Sequence, residues 1–257
     1  MYHRKLPVSK IKKILVSQPR PTETEKSPFF ELAEKNNLKI DFCPFIRVER
    51  VSAKEFRQNR IDILAHTAII LTSKTAIDHF FNLCEELRLQ VPDTMKYFCI
   101  SDSVAFYLQK YIIYRKRKIF HGKSTLRDLT DIMLKHKDEK YFLPLSDMAK
   151  KELPDFFEKN KLKSSQAVLY RTICCDLKEI PTTEYDMLVF YSPSEIKSLI
   201  NNFPDFNQGN TIIASFGTST AKAVKDAGLR LDVQAPLPGV PSMTMALDLF
   251  IKEYNKK

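Results

Sequence analysis

Glycine is scarce in this chain: there are five in 257 residues, and Gly122 alone precedes Gly209. Neither GxGxxG nor GxxxxGK[ST] occurs, so the loops that wrap a dinucleotide pyrophosphate or the phosphates of ATP are missing. Cysteine is sparse as well. Cys43, Cys84, Cys99, Cys174 and Cys175 show no CxxC spacing and are odd in number. This argues against a disulfide framework or a zinc site and for reduced thiols in a cytoplasmic protein. No apolar run approaches the roughly 18 to 20 residues of a membrane span. The N-terminal MYHRKLPVSKIKK is basic but has no apolar core and no small-residue cleavage site, so no secretory signal is expected.

What remains is an ordinary globular composition, 44% apolar and 28% charged, in a chain long enough for one or two domains with substantial cores. The net charge is +10. Nucleic acid is one partner that such a charge suits. However, the basic residues form neither a single arm nor an aromatic RNA-binding motif, and the densest run, YRKRK at 114–118, reads as a solvated loop. Diffuse positive charge equally steers a small polyanionic metabolite toward a cleft.

Apolar runs and helical patterns alternate. ILVSQP (14–19) reads as a strand, followed by a helix over about Thr24–Asn36 with a Thr22–Glu25 capping box. IDFCPFIRVERV (40–51) reads as one long strand. AIILTS (68–73), MKYFCIS (95–101), RKIFHG (117–122) and YFLPLS (141–146) are strands, each with a helix after it: Thr75–Leu87, Ser103–Tyr111, Leu126–Lys135 and Met148–Lys159. QAVLYRTICC (166–175) is a further long strand. The last third repeats the scheme, with strands in DMLVFYS (186–192), TIIASFG (211–217) and LRLDVQAP (229–236) and helices over Pro193–Asn201, Thr220–Asp226 and Ser242–Tyr254. Repeated βα units predict parallel sheets flanked by helices, with ligands at the carboxyl ends of the strands. The long segments 40–51 and 166–175 fit a pair of linkers, one leaving and one re-entering a first domain.

Hydroxyl clusters mark three strand ends where helices begin: LTSKTA (71–76), YSPSEI (191–196) and FGTSTA (216–221). Each is compatible with simple helix capping. Together they fit a cleft lined by helix amides, suited to carboxylates more than to a nucleotide. The five histidines show no ligand spacing, and His66 and His79 read as structural.

The ordered series LTSKTAIDHFF, AVLYRT, YSPSEIKSLI, IASFGTSTAKAVKDAGL and APLPGVPSMTMAL resembles the uroporphyrinogen-III synthase family over about Lys13 to Tyr254. The resemblance implies an α/β fold of two flavodoxin-like parallel-sheet domains joined by a two-strand linker. The first would be residues 1–41 and 175–257, with 42–174 inserted. It also implies a lyase of haem and porphyrin biosynthesis that cyclises hydroxymethylbilane, a linear tetrapyrrole with eight carboxylates, by loss of water and inversion of the last ring. No metal or organic cofactor is implied, and neither nucleic acid nor membrane. A cytoplasmic monomer is expected, with hydroxymethylbilane synthase as a candidate partner. Tyr170, in AVLYRT, aligns with a tyrosine that faces the family's cleft and can assist the departing hydroxyl. Thr72, Ser73, Lys74, Ser192, Ser194, Gly217, Thr218, Ser219 and Thr220 become candidate substrate contacts.

The chain departs from the family pattern in its inserted half. ISDSVAF (100–106) replaces a glycine-led turn, so that Asp102 opposes a carboxylate while Ser103 is expected to keep the cap. Lys150, in LPLSDMAKKEL (143–153), stands where an arginine is common, retaining charge but losing the bidentate fork. Three readings are therefore open: a working synthase, a non-catalytic tetrapyrrole- or anion-binding relative, and a basic nucleic-acid binder.

Overall fold

The computed structural model describes residues 10–22 and 27–256. Most of the basic N-terminal stretch, and the Glu25 side of the expected capping box, lie outside them. In chain order the elements begin with β1 (Lys13–Val16), α1 (Pro28–Asn36), β2 (Lys39–Phe42), β3 (Ile46–Arg50), α2 (Ala53–Phe56), β4 (Ala68–Leu71) and α3 (Lys74–Leu87). They continue through β5 (Lys96–Cys99), α4 (Asp102–Tyr107), β6 (Ile119–His121), α5 (Leu126–Met133), β7 (Tyr141–Ser146), α6 (Glu152–Lys159) and β8 (Ser164–Cys174). The last are β9 (Met187–Phe190), α7 (Pro193–Asn202), β10 (Ile212–Phe216), α8 (Thr218–Asp226), β11 (Val233–Ala235) and α9 (Met243–Tyr254). The chain divides into two compact units, Met1–Arg47 with Ile173–Lys257, and Val48–Thr172.

The first unit carries a five-stranded sheet in the order β11-β10-β9-β1-β2, parallel throughout. Its strands can be apolar end to end because both faces are covered. Along β1 the two-residue period sends Ile14 and Val16 into the core beside α1 and α9, while Leu15 points into the core beside α7 and α8. Counted within this unit, the order is 2-1-3-4-5, the doubly wound arrangement whose ligand crevice opens between the first and third strands. Here those are β1 and β9.

The second unit holds the order β3-β8-β7-β4-β5-β6. The strands from β8 to β6 are parallel. β3 runs against β8, since Val51 N–H donates to Leu169 O at 2.8 Å and Cys175 N–H to Phe45 O at 2.9 Å, partner numbers falling as its own rise. Ile69, Leu71, Phe142 and Leu169 enter one core and Ile70, Phe98, Tyr141 and Leu143 the other. Strand order reverses between β4 and β7, which puts this sheet's crevice at Leu71 and Ser146.

The segment expected as one strand over 40–51 is two. β2 ends at Phe42 in the first sheet and β3 starts at Ile46 in the second; Pro44 between them has no N–H to give a ladder. Helix α6 starts at Glu152 rather than Met148, because Ala149 N–H turns back onto Ser146 O at 3.1 Å. Helix α1 is capped by Ser27, whose hydroxyl accepts from Phe29 N–H, with Pro28 in its first turn. Helix α8 begins two residues earlier than expected, and the short α2 carried no sequence signal strong enough to be read.

Candidate active site

Tyr170 lies on β8 beside the end of β7. Leu145 pairs with Val168 but Ser146 pairs with Tyr170, so Leu169 is the extra residue of a bulge. Such a kink re-aims the side chains that follow it. It is fixed by Asp147, whose N–H donates to Tyr170 O at 3.1 Å and whose Oδ1 accepts from Thr172 N–H at 3.0 Å. The Tyr170 hydroxyl comes within 3.5 Å of Ser73 Oγ, the long limit of a hydrogen bond. The same Ser73 hydroxyl caps α3 by accepting from Ala76 N–H at 3.0 Å. The sheet thus brings together two residues that are 97 apart in sequence, at its own switch point. The imidazole of His79, on α3, stacks on the Tyr170 ring with centroids 4.8 Å apart and planes 15° from parallel.

Other candidates in this unit are dispersed. Thr72 is half-buried after β4. Lys74 is exposed, its Nζ 5.4 Å from the centre of the Tyr107 ring. Ser103 does not cap α4. That role belongs to Ser101, which accepts from Val104 N–H at 3.4 Å, with Ser103 Oγ 3.0 Å from its hydroxyl. The cap must precede the helix, and Ser103 is already inside the first turn. Asp102 is exposed at the start of α4, 3.6 Å from His121 Nε2, where a carboxylate suits the helix dipole. Lys150 is exposed in the turn before α6, 3.7 Å from Glu152. It lines a hollow of about 630 Å³ with Asn59, Gln166 and Arg171. Arg171 is itself engaged by Glu55.

At the switch point of the first unit the amides are already taken. Glu195, 3% exposed, accepts at Oε2 from Ser17 Oγ at 2.6 Å, Tyr191 N–H at 2.6 Å and Ser192 N–H at 3.2 Å. Ser192 in turn accepts from Glu195 N–H at 3.4 Å, completing a capping box. Burial pushes the Glu195 carboxyl above its ordinary range, against the pull of those three donors. Ser194, half-buried, follows in the first turn of α7. The neighbouring strand end differs. Helix α8 starts from Gly217 with no side-chain cap, and Thr218 and Ser219 are exposed while Thr220 is buried. Gly217 adopts φ +87°, a backbone that side-chain-bearing residues resist, and open space lies where its Cβ would be.

The stacking of His79 on Tyr170 is compatible with the structural role read from its spacing. Glu195 sits inside the quoted YSPSEI, and the Ser-x-x-Glu spacing of a capping box was its available signal. Among the described residues, no group of three or more His, Cys, Asp or Glu side chains is placed to hold a metal ion.

Two doubly wound sheets, with hydroxyls and helix starts gathered at strand carboxyl ends, define a ligand-binding α/β protein of the open-sheet class. Residues 27–245 match the family model described as uroporphyrinogen-III synthase HemD, and the chain belongs to that family. Its fold is shared by solved relatives. A mutant uroporphyrinogen III synthase from the extremely thermophilic bacterium Thermus thermophilus is 16% identical, covers 96% of this chain and 100% of its own, and superposes with a TM-score of 0.58. The uroporphyrinogen-III synthetase of Helicobacter pylori is 17% identical over 95% of this chain and 100% of its own, with a TM-score of 0.60. No curated protein sequence matches the chain. The family assignment gives its function as that of a uroporphyrinogen-III synthase, a lyase acting on a small-molecule tetrapyrrole.

Proposed function

We propose that the chain cyclises hydroxymethylbilane with Tyr170 as the residue that assists the leaving hydroxyl. The phenol donates a hydrogen bond to the hydroxymethyl oxygen as its C–O bond breaks, and the electron pair leaves with that oxygen. A cationic azafulvene remains, and the already bridged α-carbon of the terminal pyrrole attacks it. The bond from that carbon to its former methylene then breaks and re-forms at the ring's free α-carbon, which gives up its proton, so the ring is turned over. The proton released on closure balances the hydroxide, for a net loss of one water. The role proposed for the phenol is hydrogen-bond assistance rather than full proton transfer. The harder requirement is one of choice, since the free bilane also closes without inversion; the protein must hold the inverted closure as the reactive geometry.

The observation that carries this reading is the approach of the Tyr170 hydroxyl to Ser73 at the switch point of its sheet. Thr72, Ser73, Lys74, Ser103 and Lys150 are proposed substrate contacts in this unit. In the other, Gly217, Thr218 and Ser219 are favoured for a carboxylate arm because α8 starts without a side-chain cap, while the expected contact Thr220 is buried and disfavoured. Ser192 and Ser194 are weaker candidates, because Glu195 already holds the Tyr191 and Ser192 amides. A monomer in the cytoplasm, receiving its substrate from hydroxymethylbilane synthase, completes the proposal. No helix among the described residues is long and apolar enough to cross a membrane, which is compatible with that location.

The test is the isomer assay. Purified protein given freshly generated hydroxymethylbilane should yield the III isomer. Only the I isomer, at the spontaneous rate, would leave a binding protein in place of an enzyme.

A further inference from the structure

We infer that His79 is a positioning residue for the cyclisation: its ring holds the Tyr170 phenol flat and directed at the reacting oxygen. The inference rests on the role proposed for Tyr170. That side chain is half-buried on β8, beside the end of β7 and just past a bulge. Its hydroxyl contact, to Ser73, is 3.5 Å long, too weak to fix a ring. The imidazole supplies what the hydroxyl contact lacks. At 4.8 Å and 15° it covers the face of the phenol in an offset-stacked range.

Both restraints come from one βα unit. Ser73 caps α3 and meets the hydroxyl, while His79, six residues on, meets the ring. The phenol is therefore restrained chiefly across its plane, with a long contact at its tip. Polar contacts do not explain the histidine: its Nδ1 is buried without a hydrogen-bond partner, a cost that a phenylalanine at the same place would avoid. Burial also pushes the imidazole below its ordinary pKa, opposed by Asp78 and reinforced by Arg50. Burial thus favours the neutral ring, which adds no positive charge beside the place where the azafulvene cation develops. An imidazolium there would oppose the reaction.

The test is a double-mutant cycle on the full chain, reading kcat, KM, the III-to-I product ratio and thermal stability for His79→Ala, His79→Phe, Tyr170→Phe and the His79→Ala/Tyr170→Phe pair. His79→Ala should lower kcat about two- to tenfold, the range that loss of one ring pair allows, with KM unchanged and more I isomer. His79→Phe should restore kcat to within about twofold, since a flat ring returns. In the Tyr170→Phe background His79→Ala should cost nothing further, because the hydroxyl it aims is gone. Wild-type kcat in His79→Ala, or an equal loss in the Tyr170→Phe background, would overturn the inference while leaving Tyr170 its role. Wild-type turnover in Tyr170→Phe alone would instead remove the role of Tyr170. Should alanine loosen the fold, His79→Leu fills the volume without a flat ring; kcat must then fall for leucine and recover for phenylalanine, and equal values for the two would sink the idea.

Discussion

The two units solve one topological problem in opposite ways. Both sheets reverse strand order at one point, and at that point each leaves strand ends and helix starts exposed to whatever is anionic nearby. In the first unit the protein supplies a carboxyl group of its own: Glu195 fills the β1/β9 position, bound by Ser17 and two amides and sealed from water. In the second the corresponding position, between β4 and β7, carries the Ser73 hydroxyl with Tyr170 and His79 standing over it. One switch point is a structural keystone, the other a place where chemistry is possible. Hydroxyl residues at strand ends therefore do not by themselves mark binding, since Ser192 and Ser73 look alike in sequence and differ in what surrounds them.

That contrast can be broken at several places. The largest effect should follow Glu195→Ala, which orphans a buried hydroxyl and two amides. A loss of about 3 kcal/mol or more is expected, read by urea denaturation. Tyr170→Phe should do the reverse, lowering kcat by about 10- to 100-fold while thermal stability is unchanged. If the two variants each moved both quantities alike, the division between keystone and reactive site would fail.

Gly217→Ala comes next. Open space surrounds the new methyl, so the cost is backbone strain alone, about 1–2 kcal/mol, measurable as a lowered midpoint; a neutral result would mean the α8 start had relaxed. Glu195→Gln sharpens the electrostatic side. A carboxyl raised in the fold above its unfolded value of 4.5 stabilises fully below 4.5 and loses that contribution as pH rises through its folded pKa. Relative to the wild type, the amide variant should therefore gain stability with rising pH above 4.5; parallel pH profiles would contradict this. The smallest effect belongs to Asp248→Asn. Asp248 is held below its ordinary value by Lys252, Asn36 and Lys35, so its contribution is present above 3.8 and fades as the solution is acidified. A loss of no more than about 1 kcal/mol at neutral pH, vanishing in acid, is the expected reading from thermal melts.

Much of the fold was legible because buried parallel strands announce themselves as apolar runs. YFLPLS became β7 residue for residue, and AIIL became β4. The segment 40–51 misled because periodicity alone cannot report that a chain changes sheets at Pro44. Caps were legible as a class but not individually. Ser101 rather than Ser103 caps α4, a choice made by where β5 ends. At the candidate site, Tyr170 came from resemblance and Ser73 from the strand-end pattern. His79 and Glu195 matter through partners that are distant in sequence: His79 meets Tyr170 across the sheet, and Glu195 meets Ser17 across 178 positions. No local signal encodes such meetings.

The antiparallel pairing of β3 with β8 has an architectural consequence. The polypeptide leaves the first unit and comes back to it through adjacent strands laced by the Val51–Leu169 and Phe45–Cys175 bonds. For the host, the whole stretch from Val48 to Thr172 is no wider at its base than an ordinary hairpin. A module so attached can be lengthened, shortened or exchanged over evolutionary time while the surrounding sheet keeps its register, because the host senses only the two neighbouring ends.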